Sequence, residues 1–312
     1  LRIFIEIPTW LGDAVMTTPA LENLARRYPE ARWTLFGSAV SLSALKAHPK
    51  VERIIEDTSR QKGNRWLNLR RLAKEAGAFD LALSFRRNAT TKWLLFWLDA
   101  PQKGHYRRLN TQSEHQVIRY NGWLTRFLGF DAQPGALKLY HAPKTYARPT
   151  LGINPGATYG SAKRWYPERF AEVAEALSGR YDILIFGGPA EIEMARAIEE
   201  KLKEAGIKNF QNLAGRTSVE ALIARIGGLN LFMTNDSGPM HIAAAYRVPT
   251  VALFGPTNHV ETCQWQNPKS VIVRHEMPCA PCMKRVCPLK HHECMQAITP
   301  KEVIEAAKRL EA

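Results

Sequence analysis

Four short stretches carry residue types suited to gripping an anionic substrate and moving a proton. The first, Thr234-Asn235-Asp236-Ser237-Gly238-Pro239-Met240-His241, follows an apolar run at 229–233 and opens a helix. Asp236 or Ser237 is placed to cap that helix, and Pro239 fits its first turn, where a missing N–H costs nothing. Gly238 lets the backbone come close to a ligand. A helix start aimed out of a strand end is an anion site suited to a diphosphate. The same residue types also make a well-capped helix with no ligand, so this stretch alone leaves both readings open. The second, Asn154-Pro155-Gly156-Ala157-Thr158, follows another apolar run, with Ala162-Lys163-Arg164-Trp165 just beyond. There Thr158 can donate to phosphate oxygens and Lys163 brings a full positive charge. The third, Phe186-Gly187-Gly188-Pro189-Ala190-Glu191, offers Glu191 as an acceptor for ribose hydroxyls, as acidic residues do in dinucleotide sites. The fourth, Thr9-Trp10-Leu11-Gly12-Asp13-Ala14-Val15-Met16, sets Asp13 at the exit of the first strand. Asp13 reads either as a helix N-cap or as a general base that takes a proton from an acceptor hydroxyl. None of these is Gly-x-Gly-x-x-Gly or a Gly-Lys-Ser/Thr P-loop, which disfavours hydride transfer and ATP hydrolysis.

The elements that must position these residues alternate between short apolar runs and helical patterns, as in βαβ units with parallel sheets. Strands are expected over 2–7, 33–36, 51–55 and 81–85, with helices over 15–27, 41–47, 65–76 and 114–128. A second series has strands near 150–154, 182–186, 229–234 and 250–254, with helices near 167–177, 191–205, 219–226 and 240–246. Between the series, 139–149 holds prolines and rings without periodicity and reads as a linker. The expected domains are therefore 1–148 and 149–312, both Rossmann-like, in a chain long enough for two cores. Ligands of such sheets bind beyond the carboxyl ends of the strands.

The net charge is +14, and residues 1–150 hold 24 Lys and Arg against 12 Asp and Glu. A basic half suggests an anionic partner: nucleic acid, membrane surface or phosphorylated substrate. Arg60, Lys62, Arg65, Arg70, Arg71, Arg86, Arg87, Lys92, Lys103, Arg107 and Arg108 form its densest part, and most are expected to be solvated helix faces. The apolar run 93–98 is too short to span a membrane and is read as core rather than a membrane wedge. The first residues lack the pattern of a signal peptide, which gives the expectation of a cytoplasmic protein. Cys279, Cys282, Cys287 and Cys294 follow a C-x2-C-x4-C-x6-C spacing with His291 and His292 nearby. Structural zinc, free thiols and disulfides are all compatible with it. Cys263 stands apart and is expected to be a small core or loop residue.

Taken together, TWLGDAVM at 9–16, NPGATYGSAKRW at 154–165, NDSGPMH at 235–241 and FGPT at 254–257 resemble the bacterial ADP-heptose:lipopolysaccharide heptosyltransferases. The resemblance spans essentially the whole chain and is greatest to the type II enzymes. It implies a GT-B architecture, two Rossmann-like α/β/α domains facing a central cleft, and inverting transfer without a metal or other cofactor. By that resemblance Asp13 matches the catalytic base and Lys163 the lysine facing the donor diphosphate and sugar. Asp236 matches the acidic residue of the donor site, with Ser237, Gly238, Met240 and His241 around it. Thr158 matches a phosphate-binding threonine, and Glu191 an adenosine-site glutamate. The implied partners are ADP-heptose and heptosyl-Kdo2-lipid A at the inner leaflet of the inner membrane, met peripherally, with no nucleic acid. The alternatives are a type I or III enzyme of the same family, or a basic nucleic-acid-binding protein with a zinc site.

Overall fold

The computed structural model describes residues 1–61, 63–108 and 112–311, the side chain of Glu311 excepted; Lys62 lies outside the described residues. The chain divides into two compact units, Leu1–Tyr140 and His141–Ala312. The first runs β1 (Arg2–Glu6), α1 (Leu11–Met16), α2 (Thr18–Arg27), β2 (Arg32–Gly37), α3 (Ala39–Leu45), β3 (Val51–Glu56), α4 (Arg65–Ala76), β4 (Leu81–Ser84), α5 (Ala89–Trp97), β5 (Gln102–His105) and α6 (Gln116–Leu128). Its strands are all parallel in the order β3-β2-β1-β4-β5. Central β1 and β4 are almost wholly buried because a parallel strand is covered on both faces, whereas edge strand β3 is largely exposed. The chain reverses direction across the sheet between β1 and β4, which makes their carboxyl ends the switch point where a ligand crevice opens.

The second unit runs β6 (Thr150–Asn154), α7 (Pro167–Leu177), β7 (Asp182–Ile185), α8 (Ile192–Glu204), β8 (Phe210–Asn212), α9 (Val219–Gly227), β9 (Leu231–Asn235), α10 (Gly238–Ala245), β10 (Thr250–Leu253), α11 (His259–Thr262), β11 (Ser270–Val273), α12 (Glu293–Gln296) and α13 (Pro300–Glu311). Its parallel order is β11-β10-β9-β6-β7-β8, the same winding with one strand added. The switch point here lies between β6 and β9. A core built from Leu151, Ile153, Phe170, Ile183, Leu231 and Val251 packs the helices onto this sheet.

Several elements differ from the sequence reading. The helix expected over 15–27 is two helices, α1 and α2, broken at Thr17. Thr17 and Thr18 hydroxyls donate back to the Ala14 and Val15 carbonyls, and Pro19 restarts the helix in a new first turn. Strands β5, β8 and β11 were not expected. The β5 sequence Gln-Lys-Gly-His has no apolar pattern, and its ladder to β4 alone makes it a strand. The 139–149 stretch has no helix or strand, and its later part belongs to the second unit. Lys144 N–H donates to Ala224 O, and the Tyr146 and Tyr246 hydroxyls donate to the Arg225 and His141 carbonyls. The 93–98 run is only partly core: Leu94, Leu95 and Leu98 are buried, while Phe96 stands out from the surface. Among the described residues no helix is long and apolar enough to cross a membrane.

Candidate active site

At the switch point of the second unit, β6 and β9 lie side by side with Asn154 opposite Thr234, so the loops leaving them emerge together. Three buried polar side chains, with the half-buried Ser237, tie those loops. Asn154 Nδ2 donates to Gly156 O and to Ser237 Oγ, each at 3.2 Å. Asn235 Nδ2 donates to Pro155 O at 2.6 Å, and its Oδ1 accepts from Trp165 N–H at 3.1 Å. Thr234 Oγ1 donates to Asn235 O and shares a 3.1 Å hydrogen bond with Ser237 Oγ. Each bond satisfies a group that would be costly to bury alone, which fixes the loops as one body.

Lys163 ends a single 3₁₀ turn, Ser161–Lys163. Two residues on, Trp165 is wholly buried, packs edge-on to Phe170 at 5.0 Å and donates its indole N–H to Ile298 O. That anchor holds the turn so that Lys163 Nζ meets Asp236 Oδ2 at 2.6 Å, with side chains only 12% and 4% exposed. Thr257 donates to the same Asp236 oxygen at 2.6 Å. Of the two residues expected to cap α10, Ser237 is the N-cap, without a side-chain cap bond. Its hydroxyl is taken up by Asn154 and Thr234, and Asp236 is taken up by Lys163 and Thr257. Pro239 does lie in the first turn, behind Gly238 at the helix start.

The remaining donor-site residues fall unevenly around this pair. Glu191 is buried, accepts from Gly188 N–H at 2.8 Å, and lies against the β6 loop. A Cβ on Gly156 would sit 2.0 Å from its carboxyl carbon, so only glycine fits there. Thr158 is exposed on the same loop. His241 is buried, and Met240 is buried against Ala252 and Phe254, where it seats α10 on the sheet. Thr257, Asn154, Asn235 and Thr234 were given no role from sequence, although polar residues ending two apolar runs were the available signal.

The cysteine segment braces the Lys163 turn from outside. Arg285 O accepts from Ala162 N–H, the Tyr159 hydroxyl donates to Met283 O, and His292 bridges Ala162 O and the Tyr166 hydroxyl. Gly160 passes so close to Arg285 that a Cβ would sit 2.1 Å from its carbonyl oxygen. Cys279, Cys282, Cys287 and Cys294 line one small pocket as free thiols. Burial, with the three neighbouring thiols, pushes Cys294 up to about 11. Among the described residues no three His, Cys, Asp or Glu side chains are arranged to hold a metal ion. Cys263 is half-buried, as expected of a loop residue.

In the first unit Asp13 is half-buried in the first turn of α1, whose N-cap is Trp10, so the capping reading of Asp13 is corrected. It lies close enough to the buried Tyr120 to add to the burial that already raises that phenol's pKa. At the ends of β1 and β4, Glu6 is 2% exposed and accepts from Ser84 Oγ and from Arg86 at 3.0 Å, while Asp57 stands 3.8 Å from the same guanidinium. Burial raises the Glu6 pKa against the opposing pull of Arg86. Of the basic residues singled out from sequence, Arg86 is thus a largely covered partner of Glu6 and Asp57, whereas Arg60, Arg71, Arg87, Lys92, Lys103, Arg107 and Arg108 are exposed.

Residues 35–293 match glycosyltransferase family 9 (heptosyltransferase). The chain is 42% identical to lipooligosaccharide heptosyltransferase 2 of Campylobacter jejuni, over 99% of this chain and 98% of that protein. Its fold is similar to that of a family 9 glycosyltransferase from Veillonella parvula, with TM-score 0.82 at 24% identity over 99% and 96% of the two chains. It is also similar to Escherichia coli ADP-heptose lps heptosyltransferase II, with TM-score 0.79 at 24% identity over 99% and 98%. The α/β fold is accordingly of the GT-B class. With a full-length relative at this identity and a family match over most of its length, the chain belongs to glycosyltransferase family 9, the heptosyltransferases.

Proposed function

We propose that this heptosyltransferase moves L-glycero-D-manno-heptose from ADP-heptose to the first heptose of the Kdo2-lipid A inner core, with inversion and without a divalent metal. The observation that carries the reading is the Lys163–Asp236 pair, buried where the β6 and β9 loops emerge together. An ammonium has three N–H donors. Asp236 engages one and fixes the direction of the rest, leaving donors for the diphosphate. As the bond from the anomeric carbon to ADP breaks, ADP leaves with the electron pair and negative charge grows on its β-phosphate. Lys163 and the N-terminus of α10 at Gly238 meet that charge as fixed donors, which is what a metal supplies in other transferases. Thr158 and Glu191 would hold the phosphate and ribose ends of the donor, with Asp236, Ser237 and His241 forming its floor and Met240 seating α10 beneath them.

On the opposite face of the sugar carbon, the acceptor hydroxyl forms the new C–O bond and gives its proton to Asp13. Asp13 needs no raised pKa for this, since the alcohol loses its proton only as the bond forms. The enzyme would work peripherally at the cytoplasmic face of the inner membrane, where its lipid-linked acceptor lies. The test is transfer from ADP-heptose to a panel of truncated core acceptors with EDTA present. Transfer to heptosyl-Kdo2-lipid A, and none to Kdo2-lipid A, is the expected result. Preference for Kdo2-lipid A would replace the type II reading with type I, and activity restored only by Mg²⁺ would overturn the metal-free mechanism.

A further inference from the structure

Helices α4 and α5 of the first unit pack together and leave an apolar surface that the transfer chemistry does not use. Trp66 is 42% exposed, Leu67 60% and Phe96 69%. Trp66 and Phe96 are joined through Trp93, and Leu67 follows Trp66 on α4. Trp66 meets Trp93 edge-on at 5.7 Å, Trp93 stacks near Phe96 at 6.3 Å, and Trp93 donates its indole N–H to Trp66 O. Beneath the patch Leu69, Ala73, Leu94, Leu95 and Leu98 are core, so the exposed side chains are carried on a rigid base. Cations rim it. Arg70 lies 4.3 Å and Lys74 5.6 Å from the Trp97 ring, with Lys92 exposed on α5 and Lys103 donating to Leu98 O. The acidic residue of the two helices, Glu75, is ion-paired with Arg71.

We propose that this α4–α5 face docks on an anionic lipid bilayer, with Trp66, Leu67 and Phe96 entering the headgroup region and the surrounding cations meeting lipid phosphates. The proposal rests on the reading of the enzyme as peripheral to a membrane, and it names the surface responsible. Indole rings favour the membrane–water boundary, where an apolar body and a polar N–H are both satisfied. Lys and Arg stems lie along apolar surface while their heads reach phosphate. Charge also selects the bilayer over a second copy of the chain. Pairing two such faces would set the same cations against each other, which disfavours that association.

The test is co-sedimentation of the full chain with vesicles of phosphatidylethanolamine and phosphatidylglycerol, beside phosphatidylcholine vesicles. The unaltered protein should bind the first and release with added salt. The double variant Leu67→Glu/Phe96→Glu should lose about tenfold or more in partitioning, since both its apolar area and its charge balance turn unfavourable. Ile54→Glu, at a similarly exposed position on β3, should bind as the unaltered protein does. All three proteins should turn over a delipidated acceptor equally. Vesicle binding undiminished in the double variant would overturn the choice of face and leave membrane association standing. No binding by the unaltered protein would overturn both. A dimer that the double variant dissociates, with vesicle binding intact, would make the face a contact between copies and overturn the proposal.

Discussion

At the ends of β6 and β9 the second unit sets a largely covered lysine against one carboxylate, and at the ends of β1 and β4 the first unit sets a largely covered arginine against two. The strand order around the two switch points is the same. In the second unit a threonine hydroxyl shares the carboxylate, so the ammonium keeps donors to offer. In the first, Glu6 and Asp57 converge on one guanidinium, and Asp13 stands on the following helix as a further acid. The switch point of the basic half therefore gathers carboxylates around its cations, with Arg65 also within electrostatic reach of Asp57, Arg86 and Glu6, while that of the near-neutral half presents a lysine. The excess cations of the first half sit largely on exposed helix faces and loops. Net charge by domain thus reports chiefly the surface.

The contrast can be broken most sharply at Asp13. If the acid end of the first unit deprotonates the acceptor, Asp13→Asn should lower kcat by about 10²–10⁴-fold while donor binding stays intact. Near-normal turnover would remove the base role from that unit. Lys163→Met should lower kcat by about 10²–10³-fold, because one preorganised donor to the leaving diphosphate is lost. The reading fails if ADP release proceeds at the normal rate.

Arg86→Met tests whether the first unit's pair is structural. It would strand Glu6 as a buried carboxylate, and chemical denaturation should show a loss of about 3–5 kcal/mol. An unchanged midpoint would show that Glu6 is already satisfied without the guanidinium.

The smallest expected effect is a pH dependence in the first unit. Burial raises the Glu22 pKa, but hydrogen bonds from His48 and Tyr140 and the charge of Lys138 outweigh it and bring the group down from 4.5 to about 2. A lowered pKa gives stability that is present above pH 4.5 and lost as pH falls toward 2. Allowing for solvent screening, about 1–2 kcal/mol should disappear over that range, and Glu22→Gln should flatten the curve. Glu6 acts in the opposite sense. Its raised pKa gives a contribution complete below 4.5 and lost as pH rises through the folded value.

Much of the scaffold was legible because parallel strands buried on both faces are short apolar runs wherever they occur. That is why 2–7, 81–85, 150–154 and 250–254 foretold β1, β4, β6 and β10. The edge strands β5 and β8 were hidden, since half-exposed ladders impose little pattern on their residues. The break at Thr17 was hidden too, because a helical apolar stripe runs through it and only the local threonine bonds and Pro19 end the turn.

The sequence by itself determined the fold class, the strand-end positions of Asp13, Thr158, Lys163, Glu191 and Asp236, and the excess of cations in the first half. Apolar periodicity, glycine and proline placement and charge are local properties, readable one residue at a time. Only the tertiary structure decided that Lys163 faces Asp236 across 73 positions, that Thr257 shares that carboxylate, and that Phe96 leaves an otherwise buried run. Those outcomes depend on which strands lie adjacent and which side of a helix meets the core. Hydrogen bonds and packing between distant segments set both, and no local pattern encodes them.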